Sequence, residues 1–338
     1  MWILSLLLVC GALSLSPGSA QAQPPTTTPA RPGTLVDVGG RKLHAIIVGQ
    51  GSPAVVMISG MGDFAMDWTR VQPQVGKFTR AVAYDRAGDA WSDPAPGAAG
   101  LGLRAQADDL HALLAGAKVT PPYVLVGQSW GGAIARVYAA KYPAEVAGMV
   151  LIDSSHEDML LWINGKVLRP RLIAPEEWRA LWKLPPPDAQ PMPMRPRPPT
   201  EVDAPFDKLP ADMQKLRLWA MGKQLFQAVD FRAELQALHD VGGPGEFPLG
   251  DRPLIVLTRS LPETDNEKGW TVEQQEQDHK RLQAELARLS RNSRQMVVEK
   301  SGHHIQLDQP EAVVDAVRRV VTAVREKKGL GPGKPQEK

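Results

Sequence analysis

"VLVGQSWGGAIA", residues 124–135, crowds three glycines around one serine where an apolar run gives way to small residues. Val124, Leu125 and Val126 read as the end of a buried strand, and Ile134, Val137 and Tyr138 fall on one face of a following helix. Ser129 stands at the bend between them. A sharp strand-to-helix turn holds its serine in a strained backbone conformation, and the neighbours must be small or the helix cannot close on the strand. Gly127 and Gly131, two before and two after Ser129, meet that need, and Gly132 adds room. The bend also sets Ser129 at a helix N-terminus, where the Trp130 N–H and the helix dipole favour a developing oxyanion. In this context the G-x-S-x-G pattern reads as a nucleophile elbow. The alternative is a glycine-rich turn with an incidental serine.

The surrounding sequence supplies a scaffold for such a bend. "AVVMIS" (54–59), "RAVAYD" (80–85), "YVLVGQ" (123–128) and "GMVLID" (148–153) are short, nearly continuous apolar runs, as expected of parallel strands buried on both faces. "TLVDVGGRKLHAIIVGQG" (34–51) reads as a hairpin around Gly39-Gly40. Helical patterns alternate with the runs, one carrying Leu110, Leu113 and Leu114. From residue 154 to about 250 the alternation stops. This stretch carries Trp162, Trp178, Trp182 and Trp219, and a proline-rich run, "PPPDAQPMPMRPRPP" (185–199), that suits neither helix nor central strand. Alternation returns with "PLIVLT" (253–258), a helix containing Leu282, Leu286 and Leu289, the run "RQMVVEKS" (294–301), and a helix from Pro310 with Val313, Val317, Val320 and Val324 on one side. The expected organisation is a core over 34–153 and 251–328, a helical cap inserted after strand 6 over 154–250, and a disordered tail at 329–338. Such a cap is expected over the carboxyl ends of the strands, with its proline-rich run a mobile lid. Its tryptophans either line an apolar pocket or form the cap's own core.

The 338 residues are 43% hydrophobic and 22% charged with a net charge of +2, a globular balance that gives no argument for nucleic acid or an anionic membrane. The apolar "WILSLLLVCGALSLS" and Ala20-Gln21-Ala22 read as a secretory leader over 1–22, followed by a disordered spacer at 23–33. The expected location is therefore secreted or periplasmic, with no stable membrane span after cleavage. The single cysteine, Cys10, lies inside the leader. A mature chain without cysteine has no disulfide, thiol nucleophile or cysteine-bound metal. Neither H-E-x-x-H nor a phosphate loop occurs, so no cofactor and no metal are expected.

Several stretches together resemble the α/β-hydrolase family over nearly all of the mature chain. "GQSWGG" matches its elbow; "AYDRAGDAWSD" (83–93) is similar to the loop after its fourth strand, with Ala90 where a glycine is usual; "SGHHIQLDQPEAVVDAV" (301–317) resembles its terminal histidine loop. "ISGMGD" (58–63) resembles the oxyanion loop, with Ser59 in place of a histidine. The resemblance implies a mostly parallel sheet flanked by helices, Ser129 as nucleophile and His303 as its base, with His304 as runner-up. It implies the N–H groups of Trp130 and Met61 as oxyanion donors. His156, just past "GMVLID", is expected to touch substrate or make a structural hydrogen bond. His44, His111, His239 and His279 are expected to be surface or hydrogen-bonded residues. The base needs an acid to hold its tautomer. One candidate is Asp153, because a carboxylate ending a buried strand is costly unless paired. The other is Glu263 or Asp265 in "RSLPETDNEKG" (259–269). The expected activity is hydrolysis of small to medium apolar esters. A proline-type aminopeptidase or amidase is the second reading, since "QSWGG" is similar to that elbow and Glu176, Glu177, Glu201 and Asp203 offer acidic groups. The third is an inactive binding protein of the same fold.

Overall fold

The structure, a computed structural model, describes residues 28–163, 166–182, 200–224, 229–243, 245–263 and 270–330. The leader, residues 183–199 with the proline-rich run, Asp265 and positions 331–338 of the tail lie outside the described residues. The sheet strands are β1 (Thr34–Asp37), β2 (Lys42–Val48), β3 (Ala54–Ile58), β4 (Ala81–Tyr84), β5 (Tyr123–Gln128), β6 (Val146–Ile152), β9 (Leu254–Arg259) and β10 (Ser293–Val298). Their order is β1-β2-β4-β3-β5-β6-β9-β10. The β1–β2 and β2–β4 pairs are antiparallel and the remaining pairs are parallel.

The apolar runs are continuous because both faces of these strands are covered. Val56, Ile58, Leu125, Leu151 and Val256 face one core with helices α2 (Leu103–Gly116) and α3 (Trp130–Lys141). Their strand neighbours Val55, Met57, Val124, Val126, Val150 and Ile255 face the other, with α1 (Gln72–Val75) and α9 (Pro310–Glu326). Each such side chain contributes about 1.5–3 kcal/mol on burial, which holds the register that aligns the strand ends. On α9, Val313, Val317 and Val320 are fully buried, as their spacing predicts, and Pro310 opens the helix.

Between β6 and β9 the chain forms a hairpin, β7 (Leu161–Ile163) with β8 (Lys166–Leu168), then α4 (Pro175–Trp182), α5 (Ala211–Lys223) and α6 (Phe231–Asp240). Sequence periodicity gave no sign of the hairpin, whose three-residue strands are too short to show alternation. The segment touches the loops that leave the strands' carboxyl ends. Gln224 Nε2 donates to Asp89 Oδ1 at 2.9 Å, and Glu234 accepts the Leu103 N–H at 2.6 Å. Trp178 is fully buried, donates to Asp230 at 2.8 Å and stacks on Trp182; Trp219 packs on Trp91 at 4.7 Å. Both rings sit in packed clusters. After β9 come α7 (Val272–Leu286), β10 and α8 (Ile305–Asp308).

Candidate active site

The paired ends of β5 and β6 place two strained residues side by side. Gln128 is in register with Ile152, and the Ser129 N–H donates to the Ile152 carbonyl at 3.0 Å. Ser129 (φ 51°) and Asp153 (φ 40°) both adopt positive φ, at a cost of about 1–3 kcal/mol each. The glycines answer to close approach. A Cβ on Gly127 would stand 2.5 Å from the Gly132 Cα, one on Gly131 2.7 Å from the Ile58 carbonyl carbon, and one on Gly132 2.7 Å from the Ser154 Cβ. The helix therefore starts directly against β3, β5 and the end of β6. Trp130 opens it with one of the N–H groups that have no partner within the helix. The Trp130 ring is buried edge-on against Phe231 at 5.4 Å.

His303 and Asp153 meet: Nδ1 lies 2.6 Å from Oδ2. The Asp153 side chain is 1% exposed and that of His303 24%. Burial would raise the Asp153 pKa, but His279 and His303 reverse this and hold it well below the usual carboxylate range. Burial likewise opposes a charged His303 ring, yet the bond to Asp153 and its charge lift the ring above its ordinary 6.5. Glu263 plays a different part. Its Oε1 accepts the backbone N–H of His303, while Asp308 accepts the Gly302 N–H at 2.8 Å. Of the described acid candidates, Asp153 holds the ring and Glu263 holds the loop. The His303 carbonyl accepts from Gln128 Nε2 at 3.4 Å, which ties this loop to the residue before Ser129.

The loop after β3 lies against the serine. A Cβ on Gly60, the residue before Met61, would be 3.1 Å from the Ser129 Cβ. Ser59 braces this loop in the histidine's place: its hydroxyl donates to the Phe64 carbonyl at 3.0 Å and accepts from Trp68 Nε1 at 2.9 Å. Asp63 joins three parts of the molecule. Its Oδ2 faces His304 Nε2 at 3.2 Å, and its Oδ1 accepts from Arg217 of α5 at 3.1 Å. Arg217 also bonds Asp67 and lies over the Phe206 ring at 3.3 Å. Burial works against both carboxylates. His304 and Arg217 nevertheless hold Asp63 low, whereas Asp67, beside Asp63, is pushed up to about 6 despite Arg217.

His44 and His156 make hydrogen bonds within the protein. His44 is fully buried with Nδ1 2.6 Å from Asp85, whose second oxygen accepts the Ala65 N–H at 2.7 Å. His156 is buried and accepts the Asp158 N–H at 3.0 Å. Ala90 takes the φ of 44° that a glycine adopts freely, and its carbonyl is held by Lys223 at 2.9 Å. His279 is hydrogen-bonded, as expected, but to Asp153 itself, and Arg217 stood out by no motif. His279 Nε2 lies 2.8 Å from Asp153 Oδ1. Neither residue carries a local signal, since both partners are more than 120 positions away.

The chain belongs to the alpha/beta hydrolase family, whose model matches residues 55–316. It is 24% identical over 305 residues to an AB hydrolase superfamily protein of Gibberella zeae, covering 81% of this chain and 87% of that one. It is 33% identical over 138 residues to a cis-3-alkyl-4-alkyloxetan-2-one decarboxylase of Shewanella oneidensis, covering 38% of this chain and 43% of the relative. The chain spans less than half the length of that relative and of several other curated ones. A thermophilic esterase from Thermogutta terrifontis shares the fold, with a TM-score of 0.57 at 20% identity over 87% of this chain and 99% of the esterase.

Proposed function

We propose that the protein is a secreted or periplasmic serine hydrolase that cleaves small to medium apolar carboxylic esters. The observation that carries this reading is the 2.6 Å contact between His303 Nδ1 and the buried Asp153, on a loop tied to the strained serine turn. Asp153 fixes the proton on Nδ1, so Nε2 is the basic nitrogen. His303 removes the proton of Ser129 as Oγ attacks the ester carbonyl, and the tetrahedral oxyanion forms beside the N–H groups of Trp130 and Met61. The imidazolium then protonates the leaving alcohol. Water, deprotonated by the same ring, releases the acid from the acyl-enzyme and restores Ser129. The segment over 154–250 acts as a cap above the strand ends, and residues 1–22 act as an export leader.

The ester reading is favoured over aminopeptidase activity by the position of the acidic groups. Glu176, Glu177, Glu201 and Asp203 are all exposed, and a carboxylate in open water holds an ammonium weakly. Labelling by a fluorophosphonate tests the activated serine. Turnover of aryl esters graded by acyl length, set against aminoacyl arylamides, tests the substrate class. Labelling abolished by Ser129→Ala, with esters preferred, is the expected result. An unlabelled wild-type protein overturns the hydrolase reading, and faster arylamide turnover overturns the ester assignment.

A further inference from the structure

One face of α7 carries Glu276, His279 and Gln283, and all three reach the acid and its neighbours. His279 Nε2 lies 2.8 Å from Asp153 Oδ1, and Gln283 Nε2 donates to the Ser154 carbonyl at 2.7 Å. Glu276 grips the Arg259 guanidinium through both oxygens, at 2.7 and 2.9 Å. The spacing places the three on one stripe of the helix. The helix itself is fixed at its start by a capping box between Thr271 and Gln274.

We infer that His279 is a positioning residue, which pins Asp153 Oδ1 so that Oδ2 stays on His303. This rests on the reading of Ser129, His303 and Asp153 as the reacting set. A carboxylate turns about a single bond, and one contact to His303 does not fix it. The Arg259 Nε already lies 3.4 Å from Oδ2, the oxygen that His303 uses. Two features keep the guanidinium from taking it. Glu276 holds the guanidinium from the other side, and His279 together with the Arg259 backbone N–H at 3.2 Å occupies Oδ1. If His279 loses its donor, a carboxylate that is 1% exposed lacks one hydrogen bond and turns further onto the neighbouring Arg259 guanidinium, whose Nε already lies 3.4 Å from Oδ2. His303 then loses part of its partner.

The test follows the His303 ring by NMR across pH in the wild type and in His279→Phe, His279→Gln and Glu276→Gln. The charged and titratable groups around His303 are Asp153 just past β6, Arg259 at the end of β9, Glu263 in the following loop, and His304 and Asp63. All of them stay in place in these variants, which alter only the α7 groups behind them: His279 on Asp153, and the Glu276 carboxylate paired with Arg259. Phe fills the space without a donor, and the Gln amide nitrogen restores a donor near the place of Nε2. The expected result is a downward shift of the His303 midpoint by about half a pH unit or more in His279→Phe. Recovery is expected in His279→Gln, and a downward shift again in Glu276→Gln, which frees Arg259. On an aryl ester, turnover per titrated active site is expected to fall about tenfold in His279→Phe at unchanged KM. Should His279→Phe not fold, Glu276→Gln reads the same competition. An unmoved or raised His303 midpoint in the variants overturns the positioning role, even if the wild type hydrolyses esters. A lowered midpoint in a protein that hydrolyses no ester upholds that role and sinks the hydrolase reading instead.

Discussion

Two adjacent histidines each face a buried aspartate, and the two pairs are built differently. His303 meets Asp153, whose other partners, Arg259 and His279, come from β9 and α7 within the sheet's own layers. His304 meets Asp63, whose cation, Arg217, comes from α5 in the segment between β6 and β9. The first pair is set by strand register. The second takes its cation, Arg217, from that segment. The difference teaches that the His303–Asp153 half of the candidate site is part of the scaffold, whereas the loop beside Ser129 is held in part by a side chain from the segment between β6 and β9.

The largest effect expected is from Ser129→Ala, which should cut ester turnover by about 10⁴-fold or more while leaving the fold intact. An unchanged rate would place the reaction elsewhere. Next is Asp153→Asn, expected to cost about 10³–10⁴-fold because an amide can hold the wrong tautomer of His303. The pH profile sharpens this. His303 must be neutral to act as base, and its pKa lies above 6.5, so kcat/KM should fall as pH drops through a midpoint above that value. In Asp153→Asn the residual activity should show a lower midpoint. A wild-type profile flat down to pH 5 would show that His303 is not the base.

The second pair loses its cation in Arg217→Met. Asp63 and Asp67 are 5% and 1% exposed, and removing their shared cation leaves buried charge unpaired, at about 3–5 kcal/mol. The sign of the pH dependence follows from Asp67. Its carboxyl already sits at about 6 in the folded state against 3.8 for the free group, so the fold binds its proton more tightly than the unfolded chain does. Without Arg217 the deficit should be greatest above pH 6 and shrink toward pH 4, as thermal unfolding at both pH values would report. Ester turnover should fall by about tenfold, far less than in Asp153→Asn. Equal losses in the two variants would erase the distinction between the pairs.

The same distinction decided what could be read from the sequence. The strands and the bend at Ser129 follow from local rules: continuous apolar runs and glycines at fixed offsets. A carboxylate that cannot end a buried strand alone made Asp153 one candidate acid beside Glu263 and Asp265, and only the tertiary fold pairs it with His303. Ser59 was visible as a departure, but not its brace to Trp68, because nothing in "ISGMGD" names a partner nine residues on. Arg217 and His279 look like ordinary polar positions on helices. Their roles are created by tertiary contact with residues from other elements, which no periodicity records. The Trp130 ring packs against Phe231, since the first turn of α3 is covered by α6, and nothing near "GQSWGG" names that partner.

Glu263→Gln gives the smallest effect and the sharpest test of how the two carboxylates beside His303 divide their work. Glu263 accepts the His303 backbone N–H and does not meet the ring. A glutamine oxygen can accept the same bond, so the lost term is the difference between a charged and a neutral acceptor, about 1 kcal/mol. Turnover should fall by about fivefold or less, through a loosened loop. The carboxylate also helps to raise the His303 pKa, so the acid limb of the pH profile should move slightly downward. A loss as large as that of Asp153→Asn would mean that Glu263 swings onto the ring during the reaction, and the acid would then have to be reassigned.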